Sequence, residues 1–254
     1  MKVVAVYSTK GGVGKTTAAV NLAWEAAKNF RVLLWDLDPQ GATGFLLQVK
    51  PKKVKGGVSA LVAGQSKVSH AIRSTSYDNL DVLPADASYR DLDLVFDHAK
   101  KSEQRIAKIL AQVDRDYDVV ILDCPPGAAL VAENAVFSAD AVVVPLVPSP
   151  LSMRSLEQVG AFMAESVSKA RMVAFLSMVD RRKTLHREAV EKLPATQKSV
   201  SAVVVPATVQ VERMGTERAP IGSYAPRAEA AQAYGDLWAL VEKTVKPKTG
   251  TRKR

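Results

Sequence analysis

The chain has 254 residues, 47% of them apolar, enough for one α/β domain with a full core. A single cysteine, Cys124, excludes a disulfide framework and a cysteine zinc site, and the lack of any run of about 18 apolar residues excludes a membrane-spanning helix. The formal charge of +9 is uneven: residues 243–254 hold six Lys and Arg and no acid, and subtracting those six leaves +3 for the rest.

The first apolar run, Val3–Tyr7, reads as a strand, with no signal segment ahead of it, so a cytoplasmic location is expected. It leads into Lys10-Gly11-Gly12-Val13-Gly14-Lys15-Thr16-Thr17 and then a helical stretch over 16–28. Strand, glycine loop and helix in that order make a phosphate cradle, because the glycines let successive backbone N–H groups converge on an anion at a helix N-terminus. In this pattern Lys15 reaches the outer phosphates, Thr16 places its hydroxyl on Mg²⁺, and Thr17 adds a donor near the inner phosphate. Lys10 is a second lysine inside the loop.

The next strand, Val32–Trp35, ends in Asp36-Leu37-Asp38-Pro39-Gln40-Gly41, and the lysine-rich segment 50–57 reads as a surface loop. Strand Leu80–Leu83 precedes helical patterns over 88–98 and 102–114. Strand Val119–Leu122 ends in Asp123-Cys124-Pro125-Pro126-Gly127, with Cys124 reading as a buried spacer. There follow a helix over 129–137, strand Ala141–Leu146, a helix over 152–168, strand Met172–Met178, a helix over 184–193, strand Ala202–Val205 and a helix over 226–245. This alternation predicts an α/β fold with a doubly wound, mostly parallel sheet flanked by helices and its ligand at the carboxyl ends of the strands. One domain spans 1–245, and 246–254 forms a basic tail.

An acid at the end of an apolar strand emerges beside the phosphate loop. Asp123 is therefore the candidate for holding Mg²⁺ or its water shell, and Asp38, on the same side of the chain as Asp36, for positioning an attacking water. Thr16, Asp38 and Asp123 form the candidate metal set. His70, His98 and His186 have no metal-like spacing and read as surface or packing residues; Trp24, Trp35 and Trp238 read as core.

Lys10–Thr17, Asp36–Gly41 and Ile121–Gly127 resemble the three signatures of the ParA/MinD family of deviant Walker A ATPases, with the Asp-Pro-Gln-Gly and Asp-Cys-Pro-Pro-Gly forms closest to the ParA branch. The similarity extends over nearly the whole chain, including Val205-Pro206 and Pro220-Ile221. The resemblance implies a P-loop ATPase fold, ATP and Mg²⁺ as ligands, and a homodimer formed on ATP in which Lys10 reaches the partner's phosphates while Lys15 serves its own. It also implies adenine contacts at Met178 and Pro206, and an adaptor protein, ParB-like or other, that stimulates a weak ATPase. A ParA without a preceding helix-turn-helix domain is expected to position a cargo over the nucleoid.

Relatives of this kind release a cellular surface after hydrolysis. Membrane insertion needs an apolar anchor beside basic residues; the segment Lys246–Arg254 has none, and Leu237, Trp238, Leu240 and Val241 read as core. Nonspecific DNA is the better surface. Arg181, Arg182, Arg187, Arg213, Arg218 and Arg227, with Lys246, Lys248, Arg252, Lys253 and Arg254, are the candidate phosphate contacts. Relatives often carry basic residues directly after the Val205-Pro206 strand, where this chain has Ala207 and Gln210. A MinD-like membrane-surface ATPase and an ATP-dependent biosynthetic ligase of the same fold are the alternatives.

Overall fold

Short, continuous, β-branched runs fold as strands buried on both faces, since alternate side chains of one strand enter opposite cores. The computed structural model describes residues 1–52, 55–98, 104–127, 129–166 and 168–248. Its strands are β1 Lys2–Val6, β2 Val32–Asp36, β3 Arg73–Ser74, β4 Leu80–Leu83, β5 Val119–Asp123, β6 Ala141–Leu146, β7 Arg171–Val179 and β8 Val200–Pro206. They form one sheet in the order β3-β4-β2-β5-β1-β6-β7-β8, parallel throughout except for the β3–β4 pair. Val3, Ala5, Leu33, Trp35, Val120 and Leu122 enter one core, and Val4, Val6, Val32, Leu34, Val119 and Ile121 the other.

The helices are α1 Lys15–Ala27, α2 Ala42–Leu46, α3 Gly57–Val62, α4 Leu92–Asp97, α5 Arg105–Leu110, α6 Leu130–Ser138, α7 Pro150–Glu165, α8 Thr184–Thr196, α9 Val209–Glu212, α10 Met214–Glu217, α11 Ile221–Tyr224 and α12 Glu229–Val245. Helices α1 and α12 cover one face of the sheet through Ala18, Leu22, Tyr234 and Leu237; α4, α5, α6 and α7 cover the other through Phe96, Ile106, Ala132 and Val159. The doubly wound, mostly parallel architecture expected from the alternation is what is observed.

Several elements differ from expectation. The helix expected over 88–98 divides into a 3₁₀ turn, Ala87–Asp91, and α4, because the Asp86 carboxylate accepts the Ser88 N–H at 2.8 Å and tightens the entry. The helix expected over 102–114 is shorter, α5; residues 102 and 103 lie outside the described set. The expected loop 50–57 gives way to α3 at Gly57, and residues 53 and 54 are likewise outside. Trp24 is half-buried, whereas Trp35 and Trp238 are core.

Helices α1 and α11 meet where residue 222 has no side chain. A Cβ there would stand 2.1 Å from Cζ3 of Trp24, and the indole is too large to step aside. Gly222→Ala is expected to cost about 1–3 kcal/mol, which lowers Tm by about 2–4 °C per kcal/mol in thermal unfolding. Gly215→Ala is the control: nothing lies within 4 Å of its added methyl, so its Tm should be unchanged or higher.

Candidate functional site

Strand β1 lies between β5 and β6 and delivers the loop Tyr7–Gly14 to the carboxyl edge of the sheet. Gly12 (φ 70°) and Gly14 (φ 91°) occupy the left-handed region that L side chains avoid. Gly14 is also tightly placed: a Cβ would come within 3.1 Å of Ser177 Oγ, which donates to the Val13 carbonyl at 3.0 Å and ties the loop to β7. Gly14 caps α1 without a side chain, so the first-turn N–H groups of that helix have no intrahelical acceptor and face an incoming anion. Lys15 is buried, and its Nζ donates to the Lys10 carbonyl at 3.0 Å. Burial lowers its pKa, against the opposing pull of Asp123.

Asp36 and Asp123 stand opposite each other in the β2–β5 register, both fully buried. Asp36 is satisfied: Oδ1 accepts the Asp38 N–H at 3.0 Å, and Oδ2 accepts the Thr43 N–H at 3.1 Å and hydroxyl at 2.7 Å. Burial raises its pKa to about 6, against the downward pull of those hydrogen bonds. The expectation that Asp36 and Asp38 share one side is corrected here. The strand ends at Asp36, which turns toward Thr43, while Asp38 reaches the cavity wall and its Oδ1 accepts the Gln40 N–H at 2.9 Å.

Asp123 differs. Neither of its oxygens meets hydrogen-bond geometry with any described residue, although the Thr16 hydroxyl stands close enough to favour the charged form. Burial first, and Asp36 second, hold its pKa well above the usual carboxylate range. A buried, unpartnered carboxylate is costly and marks a place for a cation. No cluster of three His, Cys, Asp or Glu suited to a metal occurs among the described residues. The donors present, one hydroxyl and one carboxylate, fit Mg²⁺, which takes few protein oxygens and completes its shell with water and phosphate.

A cavity of about 420 Å³ opens between this loop and the ends of β7 and β8. It gathers Gly11, Gly12, Gly14, Lys15, Thr16, Thr17 and Asp38 together with Met178 and Pro206. Met178 (φ 55°) sits where the β7–β8 register slips between Leu176 and Val179, a bulge that re-aims one residue at the rim. The cavity does not include Lys10 or Val13. Val13 is buried, and Lys10, half-buried, lines with it a second, smaller cavity beside Ser8, Pro145 and Ser155. Ser177, Thr208, Glu212 and Tyr234 also line the wall; the sequence signals only the first two, by the nearness of Ser177 to Met178 and of Thr208 to Pro206.

The basic residues fall into two groups. Near the start of α8, Arg181 pairs with Glu229 at 2.7 Å, Arg182 with Asp180 at 2.9 Å, and Arg187 donates to the carbonyls of Arg181 and Arg182. Around α10, Arg213 pairs with Glu217 and Arg218 donates to the Phe45 carbonyl at 3.0 Å; Arg227 is exposed just before α12. Exposed ion pairs of this kind contribute little and exchange readily for other anions. Lys246 and Lys248 are exposed beyond α12, while Arg252, Lys253 and Arg254 lie outside the described residues. Leu237, Trp238, Val241 and Val245 of α12 are buried, and no helix among the described residues is long and apolar enough to cross a membrane. His186 is buried, and its Nδ1 accepts the Asp180 N–H at 2.9 Å.

A family model described as an AAA domain matches residues 1–173. The sporulation initiation inhibitor protein Soj of Bacillus subtilis is 31% identical over 93% of this chain and 96% of its own length. The chromosome partitioning protein ParA of Caulobacter vibrioides is 31% identical over 92% of this chain and 91% of its own. Among solved structures, cobyrinic acid a,c-diamide synthase from Mycobacterium smegmatis with bound ATP analogue and magnesium is 28% identical, covers 95% of each chain and superposes with a TM-score of 0.78. With its glycine loop, strand-end acids and full-length likeness to Soj and ParA, the chain belongs to the ParA/MinD family of P-loop ATPases.

Proposed function

We propose that this chain is a ParA-type partitioning ATPase that binds Mg²⁺ and ATP, pairs with a second copy, holds nonspecific DNA and lets go after hydrolysis stimulated by an adaptor protein. The observation that supports the reading is the position of Lys10: a half-buried cation on the phosphate loop that does not line its own nucleotide cavity. In each subunit the backbone of Gly11–Gly14 and the N–H groups of Thr16 and Thr17 bind the phosphates. Lys15 neutralises the outer ones, and Met178 and Pro206 enclose the base. Mg²⁺, when bound, supplies charge neutralisation at phosphate oxygens, and Thr16 and Asp123 are the residues that would hold it. Asp38 orients the attacking water, and Lys10 of the facing copy offsets charge developing on the transferred phosphoryl group, so turnover requires assembly.

The DNA grip is electrostatic and independent of sequence, spread over the arginines of the two groups and the tail, and pairing of two copies doubles it. The cargo is a replicon or a protein assembly spaced over the nucleoid. The test is binding to random-sequence DNA at fixed salt with ATP or ADP, in the wild type and in Asp38→Ala. Binding with ATP only, persisting in Asp38→Ala because hydrolysis stalls, is expected; equal binding in every nucleotide state overturns the switch. Deleting residues 246–254 should weaken the ATP-state affinity and flatten its salt dependence by about 0.9 per lost phosphate contact. The synthase name carried by one structural relative motivates a second reading, an amide-forming ligase. ATP consumption that depends on a carboxylate and an amine donor, without DNA, would favour it.

A further inference from the structure

Two non-glycine residues in the left-handed region face each other across the surface between α2 and α10. Arg218 (φ 50°) ends α10, and Gln48 (φ 57°) follows α2. They are locked reciprocally: Arg218 Nε donates to the Phe45 carbonyl at 3.0 Å, and Gln48 Nε2 donates to the Arg218 carbonyl at 3.2 Å. The Arg218 guanidinium also lies 4.6 Å from the centre of the Phe45 ring, which remains 54% exposed beside it. A non-glycine side chain in this backbone region costs about 1–2 kcal/mol per residue. Two such residues joined by their own side chains point to a function for the joint.

What the joint holds is α2, and α2 holds the Asp38 loop. Thr43 of α2 donates twice to Asp36, whose other oxygen accepts the Asp38 N–H. The Gly41 N–H donates to the Asp38 carbonyl at 3.0 Å, and the Gly41 carbonyl accepts from Phe45. Little slack exists on the inner side, since a Cβ on Gly44 would meet the Val49 carbonyl at 2.9 Å. The free degree of freedom of α2 is therefore on its outer side, where Arg218 covers Phe45.

We infer that Arg218 is a positioning residue for hydrolysis, setting Asp38 through Phe45 and α2, rather than a DNA contact. This rests on the proposed role of Asp38. A displacement of Asp38 of the order of 1 Å leaves phosphate binding intact but misaligns the water, which reduces kcat while KM holds.

The test uses the full-length protein with three variants: Arg218→Gly, Phe45→Ala and the double substitution. Arg218→Gly relieves the backbone strain as it removes the side chain, so thermal stability is retained, and neither residue lines the nucleotide cavity. Each single variant should lower kcat about tenfold. KM for ATP should stay within about twofold, and the double should be no slower than the worse single, as expected for residues acting through one contact. DNA affinity of the ATP-bound form should be unchanged. Unchanged kcat in Arg218→Gly together with weaker DNA binding and a smaller salt slope overturns the inference and returns Arg218 to the DNA set. Additive effects in the double variant overturn the path through Phe45. Asp38→Ala is measured in parallel: full hydrolysis there would overturn the role of Asp38 itself, which separates failure of that reading from failure of the latch.

Discussion

Lys10→Ala should bind ATP as tightly as the wild type and fail at everything that follows. Lys10 lies off its own cavity, so its removal leaves Lys15, the glycine loop and the rest of the cavity lining unchanged. Nucleotide affinity, followed with a fluorescent ATP analogue, should shift by less than about twofold, which is about 0.4 kcal/mol. Hydrolysis should fall about 10³-fold or more, the scale of a cation supplied to a transferring phosphoryl group by a second molecule. ATP-dependent dimers should disappear from light scattering, and DNA binding with them. Lys15→Ala makes the contrast, because Lys15 is buried in the cavity wall and its loss removes nucleotide binding itself. A Lys10→Ala protein that hydrolyses ATP at the wild-type rate would show that the lysine is an ordinary surface charge and the pairing model wrong.

Asp123→Asn should make the nucleotide-free protein more stable and useless. The carboxyl of Asp123 is fully buried, faces Asp36 in register and, with only the Thr16 hydroxyl nearby, meets hydrogen-bond geometry with no described residue. Its amide replacement has neither a charge to desolvate nor a proton to take up on folding, a gain of about 1–3 kcal/mol once pH lies above the usual carboxylate range. The gain depends on pH in a defined direction. A carboxyl whose folded pKa is raised contributes stability that is complete below its unfolded value and lost as pH rises through the folded value. The raised pKa of Asp123 therefore makes the difference grow as pH rises above the usual carboxylate range, and it should vanish toward acid, where the carboxyl is protonated in the folded and the unfolded chain alike. With Mg²⁺ and nucleotide the ranking reverses. At about one hundred times Kd the wild type gains about 2.7 kcal/mol, and the variant, lacking the acid for the cation, gains far less. Thermal unfolding with and without Mg²⁺-nucleotide reads both effects. A variant stabilised equally by the ligand would remove Asp123 from the metal set.

The sequence carried the central strands, the phosphate loop and both strand-end acids in plain view, because each is encoded within about a dozen consecutive residues. Val3–Tyr7, Val119–Leu122 and Ala141–Leu146 needed only their continuous apolar character, and Gly14 only its place between strand and helix. What escaped notice depends on contacts between distant segments. Strand β3 has two exposed residues and exists because Arg73 pairs with Val82. Helices α2 and α9 to α11 are too short to show a period, and their positions come from Asn21, whose Oδ1 accepts the Ile221 N–H at 2.8 Å, and from the Arg218–Phe45 contact. The different fates of Asp36 and Asp123 were equally hidden. Both are strand-end aspartates in apolar runs, and only the position of Thr43 separates a satisfied carboxylate from one left waiting.

The place of β1 in the middle of the sheet governs how this molecule breathes. With four strands on one side of it and three on the other, the root of the glycine loop is held at the centre of the sheet, while the two-residue β3 at one border can fray at far smaller cost. Chemistry thus sits on the part that scarcely moves. The arginines that follow β7 and β8 stand at the opposite border rather than beside β1.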